Sequence, residues 1–446
     1  MEEMNGFGEG SVAELQELRK ALSIGYQDPP ATGGDALRVE SLEATLKVLS
    51  YGATHIKLWN DIPKMEAYST VEEYSRLNAY GQDSGGFVDG GVLPEAEDSD
   101  YSRETQKVKY VGTTRAVDHP ATLVRSVPSD LIAQETANGV LWMLGKIERG
   151  LFFGDSTLVP QEWDGVNKQI IDGGGTVIDL RGAPLDAGTI EEASDIIAQN
   201  YGVASKLYAN NTVFSDFSKT YYGQQRWSSP NAPAGKVGTP VTGMSTQAGD
   251  VEFSSNVFLK KGALAPTSAT SPKAPTAPTL AVGVPGASGT SQFIAADAGN
   301  YKWSVTAVNQ FGESVPSALS ASTAIAAGEG VTLTVTDGGG TYPATAYKIY
   351  RTDKTAADAT AAYMTTVTAT AGQAGVEDEN ADIPGSFSGN LLDLSSQSLS
   401  FKQLSPLIRM PLAMLAPSIR WMQLLYGTPI VYAPKRHVVF KNIGQA

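Results

Sequence analysis

Residues 67–118 limit the possible folds of this chain more than any other segment, because they offer so little to a core. Their centre, GQDSGGFVDGGVLPEAEDSD, is rich in glycine and acidic residues. EEYSRLNAY precedes it, and YSRETQKVKYVGTTRAV, which follows it, alternates like one long strand. A segment of about 50 residues of this kind is unusual inside a compact domain. The pattern therefore predicts an extended hairpin that packs on another molecule.

The overall composition excludes several classes of protein. The 446 residues have room for roughly two to four domains. A formal net charge of −14 argues against a free surface that attracts nucleic acid. The absence of cysteine excludes disulfides and cysteine-ligated metal sites. The start MEEMNGFGEG does not resemble a signal peptide, and no apolar run is long enough to predict a membrane span.

Hydrophobic periodicity predicts helices at several places. The clearest is 129–151, where Ile132, Val140, Met143, Leu144, Ile147 and Leu151 share one face after the start signal Pro128-Ser129. Further helices are predicted at 11–24, at 40–51 and at 189–201, the last with a threonine cap. The stretch KLYANNTVFSDF is typical of a strand.

A different kind of sequence interrupts the second half of the chain. Residues 266–275 and their surroundings are rich in proline and threonine, which predicts a stiff linker. Residues 276–388 contain short alternating segments such as YKWSVTAV and TAYKIYRT, separated by turn signals such as DGGGTYP. These features predict a small β-sandwich. Because the earlier style returns in 391–446, the sandwich is predicted to be an insertion.

The most suggestive catalytic motif is Gly154-Asp155-Ser156, which is similar to the nucleophile block of GDS-type esterases. That chemistry needs a histidine three residues after an aspartate, and none of His55, His119 and His437 meets this condition. A turn is therefore the preferred interpretation. The histidines are far apart in sequence, which disfavours a zinc site, and solvated or inter-subunit roles are expected for His119 and His437.

Two acidic clusters and two glycine runs are candidate ligand sites. Glu95, Glu97, Asp98 and Asp100 form one acidic cluster, and Glu377, Asp378 and Glu379 form the other. Neither has the spacing of a calcium loop, so solvated tips are predicted. The glycine runs at 173–175 and 338–340 do not lead into a phosphate-binding helix. The sequence therefore predicts no enzyme, no catalytic or metal-binding residue and no cofactor.

The order of elements resembles the major capsid proteins of tailed bacteriophages, whose α+β fold is called the Hong Kong 97 type. The resemblance rests on LIAQETANGVLWMLGKIERGLFFGDS, EWDGV, EEASDIIAQNYGVASKLYANNTVFSDF, VTGMSTQAGDVEFSSNVFL and YGTPIVYAPKRHVVFKNI. It covers roughly 1–265 and 391–446. The insertion resembles fibronectin type III or bacterial immunoglobulin-like domains.

The resemblance implies a division into functional parts. These are an N-terminal arm (1–50), a peripheral domain (51–66 and 119–174) with its spine helix (129–151), an extended loop (67–118), an axial domain (175–265), the linker (266–275), the immunoglobulin-like insertion (276–388) and a return to the axial and peripheral domains (391–446). In some relatives Lys and Asn side chains are cross-linked. Lys107 and Lys109 lie in the extended loop, but no such bond is predicted.

The resemblance also implies the protein's partners and location. The chain would assemble with itself into hexamers and pentamers of an icosahedral shell, in the virion, after synthesis in the host cytoplasm. A separate scaffolding protein, a portal, a cement protein and packaged double-stranded DNA bound without sequence specificity are the implied partners. The insertion is expected to project from the surface, where weak adhesion to host glycans is a hypothesis. No membrane partner is expected.

Three other functions are possible on the sequence alone. An encapsulin-type nanocompartment shell would use the same fold around enzyme cargo. A secreted carbohydrate-active enzyme with a β-sandwich module would need a signal peptide and a carboxylate cleft. A phage tail or baseplate protein is the third alternative, and the long helix and the hairpin argue against a tube subunit of that kind.

Overall fold

The computed structural model describes residues 50–81, 89–90, 97–123, 130–221, 241–259, 264–370, 373–413 and 416–445. The predicted helix at 11–24, nearly all of the predicted helix at 40–51, and most of the acidic hairpin tip lie outside these residues.

The described residues form six α-helices and 22 strands. The helices are α1 Leu58–Asp61, α2 His119–Leu123, α3 Leu131–Phe153, α4 Val166–Asp172, α5 Ala187–Gln199 and α6 Asn211–Thr220. The first eleven strands are β1 Lys64–Glu66, β2 Val71–Ala79, β3 Asp100–Lys107, β4 Lys109–Asp118, β5 Thr176–Asp179, β6 Lys206–Ala209, β7 Gly243–Thr246, β8 Gly249–Ser255, β9 Thr279–Val282, β10 Gly286–Ala287 and β11 Gly299–Tyr301. The others are β12 Trp303–Asn309, β13 Gly312–Glu313, β14 Thr323–Ile325, β15 Glu329–Thr336, β16 Ala346–Arg351, β17 Ala362–Thr368, β18 Gln373–Asp378, β19 Phe387–Leu392, β20 Leu399–Pro411, β21 Ser418–Val431 and β22 Val438–Ile443. Short 3-10 helices occupy Ala53–His55, Asp358–Thr360 and Pro434–Arg436.

The long helix α3 packs on a four-stranded sheet with the order β1-β20-β21-β4. Gly139 allows this approach, because a Cβ there would lie 2.3 Å from Oε1 of Gln423 on β21. The Gln423 amide donates a hydrogen bond of 2.9 Å to the carbonyl of Thr136. The predicted helix is confirmed within two residues at each end, and Asp130 caps it.

A second sheet of six strands has the order β5-β22-β19-β6-β8-β7 and packs against α5 and α6. The predicted helix at 189–201 is confirmed as α5, but its cap is Asp186, which accepts the Thr189 N–H at 2.8 Å. The strand prediction for KLYANNTVFSDF is wrong beyond Ala209. Asn210 caps α6 there, and Val213 and Phe217 are buried on one face of that helix.

Residues 264–385, here called the inserted β-unit, contain two four-stranded antiparallel sheets that share one core, together with a two-stranded sheet of β11 and β14. One sheet has the order β13-β12-β16-β17, and in the other β15 pairs with β9, β10 and β18. Trp303, Val305, Leu333 and Ile349 are fully buried between them. The two-sheet packing agrees with the sandwich predicted for this region.

The inserted β-unit leaves and rejoins the rest of the chain at neighbouring points. The Ser388 N–H donates to the Leu259 carbonyl at 3.4 Å. Phe387 and Ser388 already belong to β19 of the six-stranded sheet. The range predicted for the insertion, 276–388, therefore runs into this sheet at its end. The predicted linker is not a free spacer. The Thr270 N–H donates to the carbonyl of Glu313 on β13 at 3.0 Å, and the Glu313 N–H donates to Oγ1 of Thr270 at 2.7 Å.

Candidate assembly surfaces

The hairpin formed by β2 and β3 has no core of its own. The two strands pair from Val71 with Lys107 to Ala79 with Asp100, and none of their residues is buried. An exposed ion pair of 3.4 Å between Arg103 and Glu73 contributes little, because solvent screens it. An isolated two-stranded hairpin is at best marginally stable in water. The described part of the predicted extended hairpin is confirmed, although Val108 divides its long strand into β3 and β4.

Large aromatic side chains lie on this hairpin in contact with solvent. Tyr80 and Tyr101 are 88% and 68% exposed, and Tyr68, just before the base of the hairpin, is 84% exposed. A tyrosine carries a large apolar ring and a polar hydroxyl, which suits it to surfaces that become buried on association. The position of Tyr80 and Tyr101 on one extended ribbon makes the hairpin the main candidate assembly surface.

The base of the hairpin, by contrast, is firmly attached. The Val108 N–H donates to the Thr70 carbonyl at 2.9 Å, so the two strands leave the subunit side by side. The Tyr74 ring packs edge-on against Tyr432 at a centroid distance of 5.0 Å. The direction of the hairpin is therefore set by the subunit, while its outer part has no partner among the described residues.

Glu148 is a fully buried charged group where α3 meets α1 and the end of β8. Its carboxylate accepts backbone N–H bonds from Lys57, Leu58 and Trp59 at 3.1, 2.8 and 2.9 Å. It also accepts the Asn256 amide at 2.6 Å. Burial raises the pKa of Glu148, and the hydrogen bonds that it accepts oppose the rise. One side chain of α3 thus caps α1 and holds the end of β8.

The position of Glu148 in the sequence indicates a buried charge, although apolar periodicity alone does not include it. Glu148 lies four residues after Leu144 and three before Leu151, on the apolar face of α3. A charged residue on such a face is almost never fully buried unless it has partners. The signal marks a buried polar contact but not the identity of the partners, which are 89 to 108 residues away in sequence.

His437 does not lie in solvent, contrary to the expectation drawn from its basic neighbours. It is fully buried, and its Nδ1 accepts the Asp393 N–H at 3.2 Å. Burial lowers the pKa of His437 to about 4, with Arg436 adding to the fall and Asp393 opposing it. His437 is therefore a neutral structural group, at the point where β19 passes into β20.

We expect the stability of the protein to fall as the pH decreases from about 6.5 to about 4. The unfolded chain binds a proton at His437 below about 6.5, whereas the folded chain does so only near 4. Protonation of His437 in the unfolded chain thus lowers the free energy of unfolding by up to about 3 kcal/mol at pH 4. Urea unfolding at several pH values measures this loss. A His437→Asn variant should have a flatter pH profile, and exposed His55→Asn should not; equal slopes in wild type and His437→Asn would contradict the prediction.

The remaining sequence candidates occupy structural positions. Gly154, Asp155 and Ser156 lie in the turn after α3, where Asp155 accepts hydrogen bonds from Thr157 and pairs with Lys168 at 3.1 Å. His55 ends a 3-10 helix, and His119 begins α2. The structure does not bring either histidine into contact with Ser156.

The acidic cluster at 377–379 is only partly solvated, so the prediction of a solvated tip is wrong for Asp378. Asp378 is buried and pairs with Arg351 at 2.7 Å, and it accepts the Trp303 indole N–H at 2.8 Å. Within the described ranges, no group of three His, Asp or Glu side chains could hold a metal ion. Nor does any helix in those ranges have the length and apolar character of a membrane span.

Comparisons with known proteins identify the class of protein. No family model matches the chain. It is 24% identical over 449 residues to the major capsid protein of Staphylococcus phage K, covering 96% of this chain and 95% of that protein. It is 26% identical over 452 residues, with the same coverage, to a protein of Enterococcus phage phiEF24C whose capsid designation is provisional. This chain is a tailed-phage major capsid protein. Among solved structures, the capsid of Cyanophage P-SCSP1u has a TM-score of 0.48 at 8% identity, over 95% of this chain and 98% of that one.

The end-to-end matches favour a phage shell over the encapsulin-type alternative. The capsid protein accordingly belongs to the shell of the virion. The two lysines considered for a cross-link differ in environment: Lys107 is exposed on β3, whereas the ammonium of Lys109, on β4, donates to the carbonyl of Pro160. Lys109 thus helps to hold the loop's return strand on the subunit.

Proposed function

We propose that this capsid protein assembles into hexamers and pentamers of an icosahedral shell around double-stranded DNA, with the Hong Kong 97-type arrangement. In this proposal residues 1–50 are an arm that reaches adjacent subunits, and 67–118 lie over a neighbouring copy. The peripheral domain comprises 51–66 and 119–174, and the axial domain comprises 175–265 with part of 391–446.

The observation that supports the proposal is the hairpin without a core. A ribbon with no buried residue and two exposed tyrosines, Tyr80 and Tyr101, gains stability only when another surface covers it. A second copy of the chain is the partner available at every position of a shell. Identical weak contacts then reinforce one another, because closure of the assembly makes each later contact effectively intramolecular.

The other proposed partners follow from how such a shell must be built and filled. A separate scaffolding protein would set the curvature, a portal would occupy one vertex, and a cement protein would bind the finished lattice. The net charge of −14 favours DNA that is enclosed without sequence-specific contacts.

Electron microscopy of the purified, overexpressed full chain tests the proposal. We expect capsomers or closed particles, alone or with the phage's scaffolding protein, and DNA in particles from infected cells. A compact monomer under all of these conditions, or particles filled with enzyme cargo, would contradict it.

The inserted β-unit is proposed to be an immunoglobulin-like domain on the outer surface of the shell, with weak adhesion to host glycans. Its separate core and the adjacency of Leu259 and Ser388 support the view that it is an independent module.

Replacing residues 264–385 by a short Gly-Ser linker should leave shell assembly intact and reduce the binding of particles to host cells. Assembly should persist because Leu259 and Ser388, which flank the excised part, are already hydrogen-bonded neighbours. Particle counts by microscopy and a cell-binding assay measure the two effects. Unchanged cell binding would refute adhesion, and loss of particles would show that the module is needed for assembly.

A further inference from the structure

A cleft separates the inserted β-unit from the turn that follows α3 in the same subunit. The wall on the α3 side consists of Asp155, Thr157 and Leu158. The facing wall belongs to β15, β17, β18 and the residues just after β17, and it consists of Thr334, Thr366, Val367, Thr368, Thr370 and Gly375. The cleft has a volume of about 650 Å³. This volume lies within the range of roughly 300–1,000 Å³ that is typical of sites for small molecules, which often lie between domains.

The chain that returns from the inserted β-unit is fastened to β22 of the six-stranded sheet. Lys441 pairs with Asp382 at 2.8 Å. The Asn442 side chain donates to the carbonyl of Ala381 and accepts the Ile383 N–H, both at 3.0 Å. These bonds limit how far the two walls of the cleft can move apart. A site whose walls are already in place loses less conformational freedom when a ligand binds.

Hydroxyl groups make up most of the polar lining of the cleft. The side chains of Thr334, Thr368 and Thr370 form no hydrogen bond with any other residue that the structure describes, so their hydroxyls are free to contact a ligand. A hydroxyl both donates and accepts hydrogen bonds, as the hydroxyls of a sugar do. Leu158 and Val367 add a small apolar surface, which suits the C–H groups of a sugar ring.

The one charge in the described lining of the cleft is already neutralised. Asp155 accepts hydrogen bonds from the N–H and the hydroxyl of Thr157, and it pairs with Lys168 at 3.1 Å. Among the residues that the structure describes, no lysine or arginine lines the cleft. An anionic ligand would therefore find no free cation there. The lining suits a neutral, polyhydroxylated ligand better than a phosphate or a carboxylate.

We propose that this cleft, here called the threonine cleft, binds a neutral saccharide through the hydroxyls of Thr334, Thr368 and Thr370, with Thr157 on the opposite wall. The site gives a location to the adhesion suggested above, and to that extent it rests on the proposed function. Binding to one cleft is weak, because each protein hydroxyl gives up a hydrogen bond to water when it contacts the sugar. A shell that carries many copies of the cleft strengthens the attachment through multivalency.

Saturation-transfer NMR of the full chain tests the threonine cleft. The probes are the methyl glycosides of glucose, galactose and N-acetylglucosamine, with glucuronic acid as the charged counterpart. The cleft variant combines Thr334→Val, Thr368→Val and Thr370→Val. Valine keeps the shape of threonine, suits strands and lacks the hydroxyl, so the variant should fold normally.

The matched control variant makes the same chemical change on the same sheet but outside the cleft. It combines Thr279→Val, Thr332→Val and Thr336→Val, at exposed positions of β9 and β15. Thermal unfolding of the two variants should agree.

We expect at least one neutral glycoside to bind the wild type and the control variant equally. Each hydroxyl removed should weaken binding about fivefold, so the cleft variant should bind about 100-fold more weakly. No binding of any neutral glycoside to the wild type, equal binding to the cleft variant, or stronger binding of glucuronic acid would overturn the proposal.

A cell-binding assay of particles separates this proposal from the proposed adhesion. If removal of residues 264–385 reduces cell binding while the cleft variant changes neither cell binding nor glycoside binding, the threonine cleft is refuted and adhesion stands. If the glycoside signal depends on the three hydroxyls while removal of residues 264–385 leaves cell binding unchanged, the cleft is supported and adhesion is refuted.

Discussion

Excision of residues 71–107, with Thr70 joined to Val108 through an Asn-Gly turn, should abolish shell assembly and leave the subunit's thermal unfolding nearly unchanged. The excised strands contain no buried residue, so the subunit loses no core. The Thr70 carbonyl and the Val108 N–H are already 2.9 Å apart, which suits a two-residue turn. Sedimentation and electron microscopy measure assembly, and calorimetry measures unfolding.

A milder variant refines this test. Replacing Tyr80 and Tyr101 by serine removes two rings that are largely exposed in the single subunit. A tyrosine buried in a contact is worth about 2 kcal/mol, so losing both should weaken each contact by a factor of about 1,000. Val284→Ser, at an exposed position of the inserted β-unit, is the matched control and should assemble normally. Normal particles from the excision variant would refute the role assigned to the hairpin.

Glu148→Ala should lower the free energy of unfolding by about 3–5 kcal/mol, because it leaves three backbone N–H groups and the Asn256 amide without their acceptor. Chemical denaturation of the subunit measures the loss. Glu135→Ala on the same helix is the control: its ion pair with Arg115, at 3.6 Å, is partly exposed and should be worth less than about 1 kcal/mol. A loss below 1 kcal/mol for Glu148→Ala would show that the carboxylate is not what joins α1 to α3.

The local sequence pattern predicted those elements in which buried residues recur at a regular spacing. α3 and α5 follow from apolar residues at helical spacing, and the hairpin follows from alternation around a centre with little to bury. The prediction failed at α6, where Val213, Phe214 and Phe217 favour strands by residue type. Asn210 and the packing of these side chains on the six-stranded sheet decide the outcome instead.

Tertiary partners could not be predicted in the same way. His437 looked solvated because two basic residues precede it, and Asp378 looked solvated because it has acidic neighbours. Both are buried by groups far away in sequence: Asp393 for the histidine, and Arg351 and Trp303 for the aspartate. The charges next to a residue in the sequence are therefore a poor guide to the surroundings of its side chain, because strands bring distant segments together.

The order of the six-stranded sheet has a consequence for synthesis on the ribosome. β22, residues 438–443, lies between β5 and β19 and is translated after every other strand of that sheet. A nascent chain therefore holds β5 near residue 176 without its neighbour until some 260 residues later. The inserted β-unit can fold during that interval, because all of its strands are made before residue 379. Incomplete chains would carry the hairpin but lack a finished sheet. A chain therefore becomes able to join a lattice only after β22 has been translated.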